Sequence, residues 1–153
     1  MIIGIGTDIV EIARIARILE SGAGSRFLRR ILTGAELDLV RGRPAERLAE
    51  FAAGRFAAKE AAAKALGCGI GGKAGFHDLE IAPAPAGRPE CRLSGKARAA
   101  VGFRDGDRLH LSLSHSDGHA VAFAVWERPD ASRQAGNPAL PRDAEADRTS
   151  RKR

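Results

Sequence analysis

Hydrophobic and polar residues follow two different periods at the start of the chain. Residues 2–6 are isoleucine and glycine without helical spacing, which predicts a short strand. Between residues 12 and 19, isoleucine and leucine recur at helical intervals, which predicts an amphipathic helix that begins near Asp8. The pattern therefore places Asp8 at the junction of a strand and a helix.

Three further helical segments are expected after a break at residues 22–25, which read GAGS. The first covers residues 26–32. Thr33, with Glu36 three positions on, resembles a capping box and begins the second. Pro44 suits the first turn of a long helix that continues to about Leu66.

The second half of the chain reads mainly as strands. The predicted order is a strand over residues 76–83, a turn over 84–89, a strand over 90–93 and a short helix capped by Ser94. Leucines then alternate with polar residues over 109–113, residues 116–118 make a turn, and residues 120–126 return as a buried strand. Because helices and strands do not alternate regularly, the fold class is α+β, with an N-terminal strand and helices packed on an antiparallel sheet.

The chain length of 153 residues suits one domain, which we expect at residues 1–127. Residues 128–153 lack a periodic apolar face and are rich in proline, alanine, aspartate and arginine, which is typical of a disordered tail. The net charge is +6, and this tail is basic because it holds seven Lys or Arg against four Asp or Glu.

Composition excludes several classes of protein. Six Phe, one Trp and no Tyr make a stacking platform for single-stranded nucleic acid hard to build. Two cysteines without clustering indicate neither a disulfide framework nor a zinc site, and together with the absence of a signal peptide they favour a reduced cytoplasm. No apolar run approaches the roughly 18 residues that span a bilayer. We therefore expect a soluble cytoplasmic protein that binds neither nucleic acid nor membrane.

Glu60 is the first candidate for chemistry on the long helix. It lies four positions after Phe56, on an apolar stripe that also contains Ala52, so its carboxylate is expected on the inward face. A buried charge needs a salt bridge, a metal or a change of protonation. Lys64, one turn later, is the simple salt-bridge partner, and a metal ion is the alternative.

Asp8 also has two interpretations. With Glu11 three positions on, it resembles a capping box. If Asp8 instead converges with Glu60, the two carboxylates suit Mg²⁺, which keeps several waters and takes phosphate oxygens as further ligands. Three basic residues around that centre would then neutralise a pyrophosphate: Arg55, Lys59 and Lys64.

The glycine loop after the long helix nearly spells a P-loop, since Gly67, Gly72 and Lys73 fit its spacing. We reject that motif, because a P-loop precedes a helix and ends in Ser or Thr, whereas this loop follows a helix and has Ala74. The loop is either a helix stop or, through Gly67 and Gly69, a surface on which a flat nucleotide lies against the backbone.

His115 follows the predicted alternating strand, among Ser112, Ser114 and Ser116. A Ser/His pair for acyl transfer lacks both a G-x-S-x-G elbow and a recognisable third member. From the sequence alone, the simpler interpretation is an exposed or locally bonded histidine near a turn.

Four blocks of the chain resemble the holo-acyl-carrier-protein synthase family of 4′-phosphopantetheinyl transferases. They are IGIGTDIVEIARI at 3–15, FAAGRFAAKEAAAKALGCGIG at 51–71, FHDLEI at 76–81 and LHLSLSHSDGHAVAFAV at 109–125. The resemblance implies that Asp8 and Glu60 bind Mg²⁺ with the coenzyme A pyrophosphate. It further implies that Lys64 contacts phosphate and that Arg55 and His115 help to hold the phosphates of the nucleotide.

The implied reaction transfers 4′-phosphopantetheine from coenzyme A to a serine of apo acyl carrier protein and releases adenosine 3′,5′-bisphosphate. The serine proton passes either to Glu60 or to a water on the metal. Because carrier proteins are acidic, Arg14 and Arg17 of the first helix are expected to dock the partner. The resemblance also implies a homotrimer in which neighbouring subunits share active sites.

Two competing hypotheses remain from the sequence. A basic module could bind RNA or DNA through its N-terminal arginines and tail, with affinity that falls steeply with salt. Alternatively, a degenerate transferase could serve as an interaction subunit.

Overall fold

The computed structural model describes residues 1–84, 87–116 and 118–130. Helices and strands are intermixed in these ranges, and the predicted α+β class is confirmed. In chain order the elements are β1 (Ile2–Glu11), α1 (Ile12–Glu20), α2 (Gly24–Ile31), α3 (Gly34–Asp38), α4 (Ala45–Ala65), a 3₁₀-helix (Phe76–Asp78), β2 (Leu79–Pro83), β3 (Pro89–Leu93), α5 (Gly95–Val101), β4 (Arg108–His115) and β5 (His119–Glu127).

The strands form two antiparallel sheets. β5 lies between β1 and β4 in a three-stranded sheet, and β2 pairs with β3 in a two-stranded one. In the larger sheet Ala122 of β5 is opposite both Asp8 of β1 and Leu113 of β4. The predicted hairpin of β4 and β5 is thereby confirmed.

Small residues let α4 lie directly on the three-stranded sheet. A Cβ atom added to Gly6 would overlap the carbonyl oxygen of Ala61, and one added to Gly4 would overlap that of Ala65. The strand backbone therefore touches the helix backbone, which explains why this helix is rich in alanine. Its completely buried alanines are Ala52, Ala53, Ala57, Ala58, Ala61, Ala62 and Ala63.

A Gly6→Ala substitution is expected to lower the free energy of unfolding by about 1–3 kcal/mol, the usual cost of overpacking. The added methyl group must displace the backbone of α4 at Ala61. Urea unfolding measures the effect. Gly54→Ala is the matched control, since its new Cβ meets no atom within 4 Å and alanine improves helix stability by about 0.5–1 kcal/mol. Equal stability of Gly6→Ala and the parent chain would contradict the close approach.

Three predicted boundaries are wrong. β1 continues to Glu11, opposite His119, so Asp8 lies inside a strand and is not a helix cap. Glu11 is the N-cap of α1 and makes no side-chain cap hydrogen bond. Residues 76–78 form a 3₁₀-helix instead of the start of a strand. In β1 the ladder with β5 extends the strand beyond the point where the apolar pattern changes period.

Local signals correctly predicted the caps of two other helices. Thr33 and Glu36 form both hydrogen bonds of the capping box at α3. The Ser94 hydroxyl accepts a hydrogen bond from the Ala97 N–H at the start of α5. Pro44 directly precedes α4, which ends one residue before Leu66, as expected.

At the C-terminal end, Arg128 is attached to the domain. Its guanidinium donates to Asp107 at 2.7 and 2.9 Å, and its backbone N–H donates to the Met1 carbonyl at 2.8 Å. Residues 131–153, and with them most of the predicted tail, lie outside the described residues, as do parts of the turns at 84–89 and 116–118. No helix in the described ranges combines the length and the hydropathy that a membrane crossing requires.

Candidate active site

Asp8 faces α4 from the inner side of β1. Its carboxylate accepts a hydrogen bond from the Lys64 ammonium at 2.8 Å, and the same ammonium donates to the Thr7 carbonyl at 2.9 Å. The Asp8 side chain is 17% exposed and that of Lys64 is 48% exposed. Strand and helix thus hold an ion pair that solvent can reach from one side.

Glu60 lies one turn before Lys64 on α4 and is half-buried. Burial raises the pKa of its carboxyl, the nearby charge of Asp8 raises it further, and Lys64 opposes both. In the described part of the chain, Glu60 has neither a hydrogen bond nor an ion pair, so Lys64 pairs with Asp8 and not with Glu60 as the simple helix pair predicted. Two carboxylates with one lysine leave a local excess of negative charge.

Lys59 does not belong to this cluster, contrary to prediction. It is completely buried and donates to the Glu36 carboxylate at 2.6 Å, the Ile31 carbonyl at 2.7 Å and the Phe76 carbonyl at 2.9 Å. Burial lowers the pKa of its ammonium, and the contact with Glu36 opposes that shift. The inward stripe of α4 therefore carries Lys59 at its centre, with Glu60 at its edge.

Arg55 and His115 form a second cluster. Both line a cavity of about 230 Å³ between α4 and the end of β4. The Arg55 guanidinium carbon lies 4.2 Å from the centre of the Phe51 ring, and its Nε lies 3.9 Å from a Glu36 carboxylate oxygen. That Nε is buried and has no hydrogen-bond partner in the described residues. Burial lowers the pKa of Arg55, while the charge of Glu36 raises it.

A single chain does not bring the two clusters to one point. Arg55 and Lys64 are nine residues apart on α4, about 13 Å along its axis. Asp8 lies on β1 and His115 lies on β4. Because β5 lies between these strands, the backbones of β1 and β4 are about 10 Å apart. A ligand that touched every predicted residue would need both clusters, so it would have to reach around α4 or contact two copies of the chain.

The remaining predicted residues lie in the loop after α4 and on α1. Gly67 and Gly69 adopt positive φ angles of 68° and 62°, and their N–H groups turn back to the carbonyls of Lys64 and Ala63. The loop therefore ends α4 just beyond the last turn of the helix, which contains Lys64. Arg14 and Arg17 are exposed on α1.

The sequence interpretation missed residues that shape the second cluster. Arg43 and Arg47 also line the cavity of Arg55 and His115. The sequence does contain a signal for the α4 side of this cavity, because Arg47, Phe51 and Arg55 recur every four residues and so share a helix face. Glu36 gave no such signal, because the capping box already accounted for it.

The chain is similar to known proteins over most of its length. A sequence model of the 4′-phosphopantetheinyl transferase superfamily matches residues 4–124. The chain is 51% identical over 128 residues to the holo-[acyl-carrier-protein] synthase of Geobacillus kaustophilus, covering 84% of this chain and 91% of that protein.

Two solved structures are similar over most of the chain. One is a holo-(acyl-carrier-protein) synthase from Bacillus anthracis in complex with CoA (3′,5′-ADP), with a TM-score of 0.71 and 42% identity over 84% of this chain and 99% of that one. The other is the Helicobacter pylori holo-[acyl-carrier-protein] synthase in complex with coenzyme A, with a TM-score of 0.70 and 35% identity over 80% and 99%. The chain therefore belongs to the holo-[acyl-carrier-protein] synthase family of the 4′-phosphopantetheinyl transferase superfamily.

Proposed function

We propose that the chain transfers 4′-phosphopantetheine from coenzyme A to a serine hydroxyl of apo acyl carrier protein, with Mg²⁺, and releases adenosine 3′,5′-bisphosphate. The observation that carries the proposal is the meeting of Asp8, Glu60 and Lys64 where β1 crosses α4. Family relatives whose structures contain coenzyme A support the choice of donor.

The carboxylates of Asp8 and Glu60 suit a magnesium ion better than a metal that is coordinated by protein side chains alone. The described residues contain no group of three or more His, Cys, Asp or Glu side chains that could hold a metal on their own. Asp8 and Glu60 would supply two oxygen ligands, and Mg²⁺ usually takes only one or two carboxylates and completes its shell with water and phosphate. When bound, the ion supplies positive charge against the diphosphate. Burial and the charge of Asp8 raise the pKa of Glu60, so a cation bound between the two carboxylates would favour the ionised form of Glu60.

The side chains would act by position and charge. In the reaction, the serine oxygen forms a bond to the phosphorus next to pantetheine, and the bond from that phosphorus to the adenosine 5′-phosphate oxygen breaks. The half-exposed ammonium of Lys64 is placed to stabilise negative charge on these phosphates. Arg55 and His115 would hold the phosphate groups of the departing nucleotide, and Gly67 and Gly69 leave space beside the backbone.

The acidic carrier protein would dock on α1. Arg14 and Arg17 lie three residues apart, so their exposed side chains project from neighbouring positions of one helix surface. Exposed cations of this kind mainly accelerate the encounter with an acidic partner and fix its orientation.

We also propose that the chain works as a homotrimer with shared sites. The face of the three-stranded sheet that α4 leaves uncovered exposes four apolar side chains: Ile5 by 56%, Ile9 by 64%, Val121 by 39% and Phe123 by 45%. They lie on neighbouring strands, since Ile9 is opposite Val121. An apolar patch of this kind is typical of an interface. A second copy would let Arg55 and His115 of one chain complete the cluster of Asp8 and Glu60 of another.

The transfer itself is tested by incubating the chain with coenzyme A, Mg²⁺ and an apo acyl carrier protein. Mass spectrometry should find the carrier heavier by one phosphopantetheine group, on its serine, and chelation of the metal should stop the reaction. No mass gain with several carrier proteins would refute the proposal.

Shared sites predict that two inactive variants restore each other. Glu60→Gln and His115→Ala should each be strongly impaired. An equal mixture of the two, refolded together, should regain about one quarter of the parent activity, because about one site in four takes its Glu60 from the His115→Ala chain and its His115 from the Glu60→Gln chain. Activity of the mixture in the carrier assay is the measurement. A mixture of Glu60→Gln with Asp8→Asn is the matched control and should stay inactive, since both changes affect the same cluster. No recovery in the first mixture would place each site within one chain.

A further inference from the structure

A second cavity lies between the two sheets. It has a volume of about 620 Å³, and residues of β3 and of the first half of β4 form its walls. β3 is an edge of the small sheet and β4 is an edge of the large one, and no backbone hydrogen bond joins them in the described parts of the chain. The volume is that of a small-molecule pocket. None of the residues proposed for transfer lines it.

The core side of this groove is apolar. The side chains of Leu93, Phe103, Leu109 and Leu111 line it and are only half-buried, although they pack against the hydrophobic core. These are side chains that the space between the two sheets leaves partly open. An apolar ligand in the groove would complete their burial, which is favourable at about 25 cal/mol per Å².

The solvent side of the groove is basic. Arg88, Arg92, Arg98 and Arg108 all line it. Of the two acidic residues in the lining, Asp107 is only 1% exposed and is already neutralised by Arg128 at 2.7 Å. The other, Glu90, lies 3.5 Å from Arg92 on the surface.

The side chain of Arg108 has no ion pair or hydrogen bond among the described residues, and the guanidinium of Arg98 forms an ion pair only with the fully exposed Asp105. The groove therefore presents more positive than negative charge to a ligand.

We propose that this groove binds an amphipathic anion, a hydrocarbon chain that carries a carboxylate or phosphate head. The chain would lie against Leu109 and Leu111, and the head would contact Arg92 and Arg108. This site is separate from the proposed transfer reaction, since binding requires neither coenzyme A nor carrier protein. Either proposal can fail without the other.

The chain contains a built-in reporter for this site. Trp126 is the sole tryptophan of the sequence, and its ring stacks on Phe103 with 5.7 Å between the ring centres. Decanoate and decyl phosphate, each titrated below the concentration at which it forms micelles, should change the fluorescence of Trp126 saturably. Comparison of the two identifies the preferred head group. Decan-1-ol should bind at least about tenfold more weakly, because it lacks the charge that arginine recognises, and inorganic phosphate should leave the fluorescence unchanged.

Variants locate the ligand. The double substitution Arg92→Gln and Arg108→Gln should weaken decanoate binding by at least about tenfold and leave carrier modification unchanged. Arg104→Gln, an exposed arginine of the same region outside the lining, is the matched control and should bind as the parent chain does. The proposal is overturned if no saturable change occurs, if the double variant binds equally well, or if Phe123→Ser on the exposed sheet face abolishes binding while the double variant does not.

Discussion

Glu60→Gln is expected to reduce phosphopantetheine transfer by about two orders of magnitude or more, the usual cost of losing a preorganised charge at a reacting phosphate. Glutamine keeps the shape of the side chain but cannot give the metal a charged ligand. The free energy of unfolding should stay the same or rise slightly. Carrier modification by mass spectrometry measures the first effect, and urea unfolding measures the second.

The stability part of this expectation follows from the pKa of Glu60. Because burial and Asp8 raise that pKa, the ionised carboxylate is less favourable in the folded chain than in the unfolded one. The stability that Glu60 contributes is therefore fully present below the ordinary pKa of a glutamate, and it is lost as the pH rises through the raised pKa. Above that raised pKa the contribution is gone, so there glutamine removes nothing that holds the fold together.

Two controls separate this outcome from a structural role. Glu46→Gln changes an exposed carboxylate in the first turn of the same helix and should retain activity. Unfolding of the parent chain and of Glu60→Gln across mildly acidic to neutral pH should show the parent losing stability relative to the variant as the pH rises. If Glu60→Gln remained active, transfer would not depend on this carboxylate. If the variant lost activity and stability together, Glu60 would be a structural residue.

The parts of the fold that depend on local signals could be predicted from the sequence. The long α4, the β4–β5 hairpin and the caps at Thr33 and Ser94 each follow from residues close together in the chain. β1 could not be bounded in this way. Its last residues pair with β5, more than a hundred positions away, and this ladder carries the strand past Asp8 to Glu11, up to the start of the helical spacing.

The candidate site, too, could be predicted only in part from the sequence. Sequence pattern and family resemblance drew attention to Asp8, Glu60 and Lys64, and the structure brings these three together. The ion-pair partner of each of these side chains could not be predicted, because it depends on which strand packs against that turn of α4. Glu60 was expected on the inward face, yet the charged side chain that is completely buried in α4 is that of the neighbouring residue, Lys59.

Lys59→Met is expected to lower the free energy of unfolding by about 3–5 kcal/mol, the cost of removing one partner of a buried ion pair. Methionine fills much of the space of the lysine stem, so the loss comes mainly from Glu36, whose carboxylate is 1% exposed and would be left without the ammonium at 2.6 Å. Arg55 compensates only in part, since its Nε is 3.9 Å from the carboxylate. Urea unfolding is the measurement, and Lys73→Met, which changes an exposed lysine, should alter stability by no more than about 0.5 kcal/mol.

A second substitution tests the cause. Glu36 also accepts hydrogen bonds from the N–H groups of Thr33 and Ile81, and the amide oxygen of glutamine could keep one of these. Adding Glu36→Gln to Lys59→Met removes the stranded charge, so the double variant should be more stable than Lys59→Met alone. The alternative is that the losses of stability caused by Lys59→Met and by Glu36→Gln simply add. In that case the ammonium of Lys59 would stabilise the fold through the carbonyls of Ile31 and Phe76, and the charge of Glu36 would not explain why this alanine-rich helix contains a buried lysine.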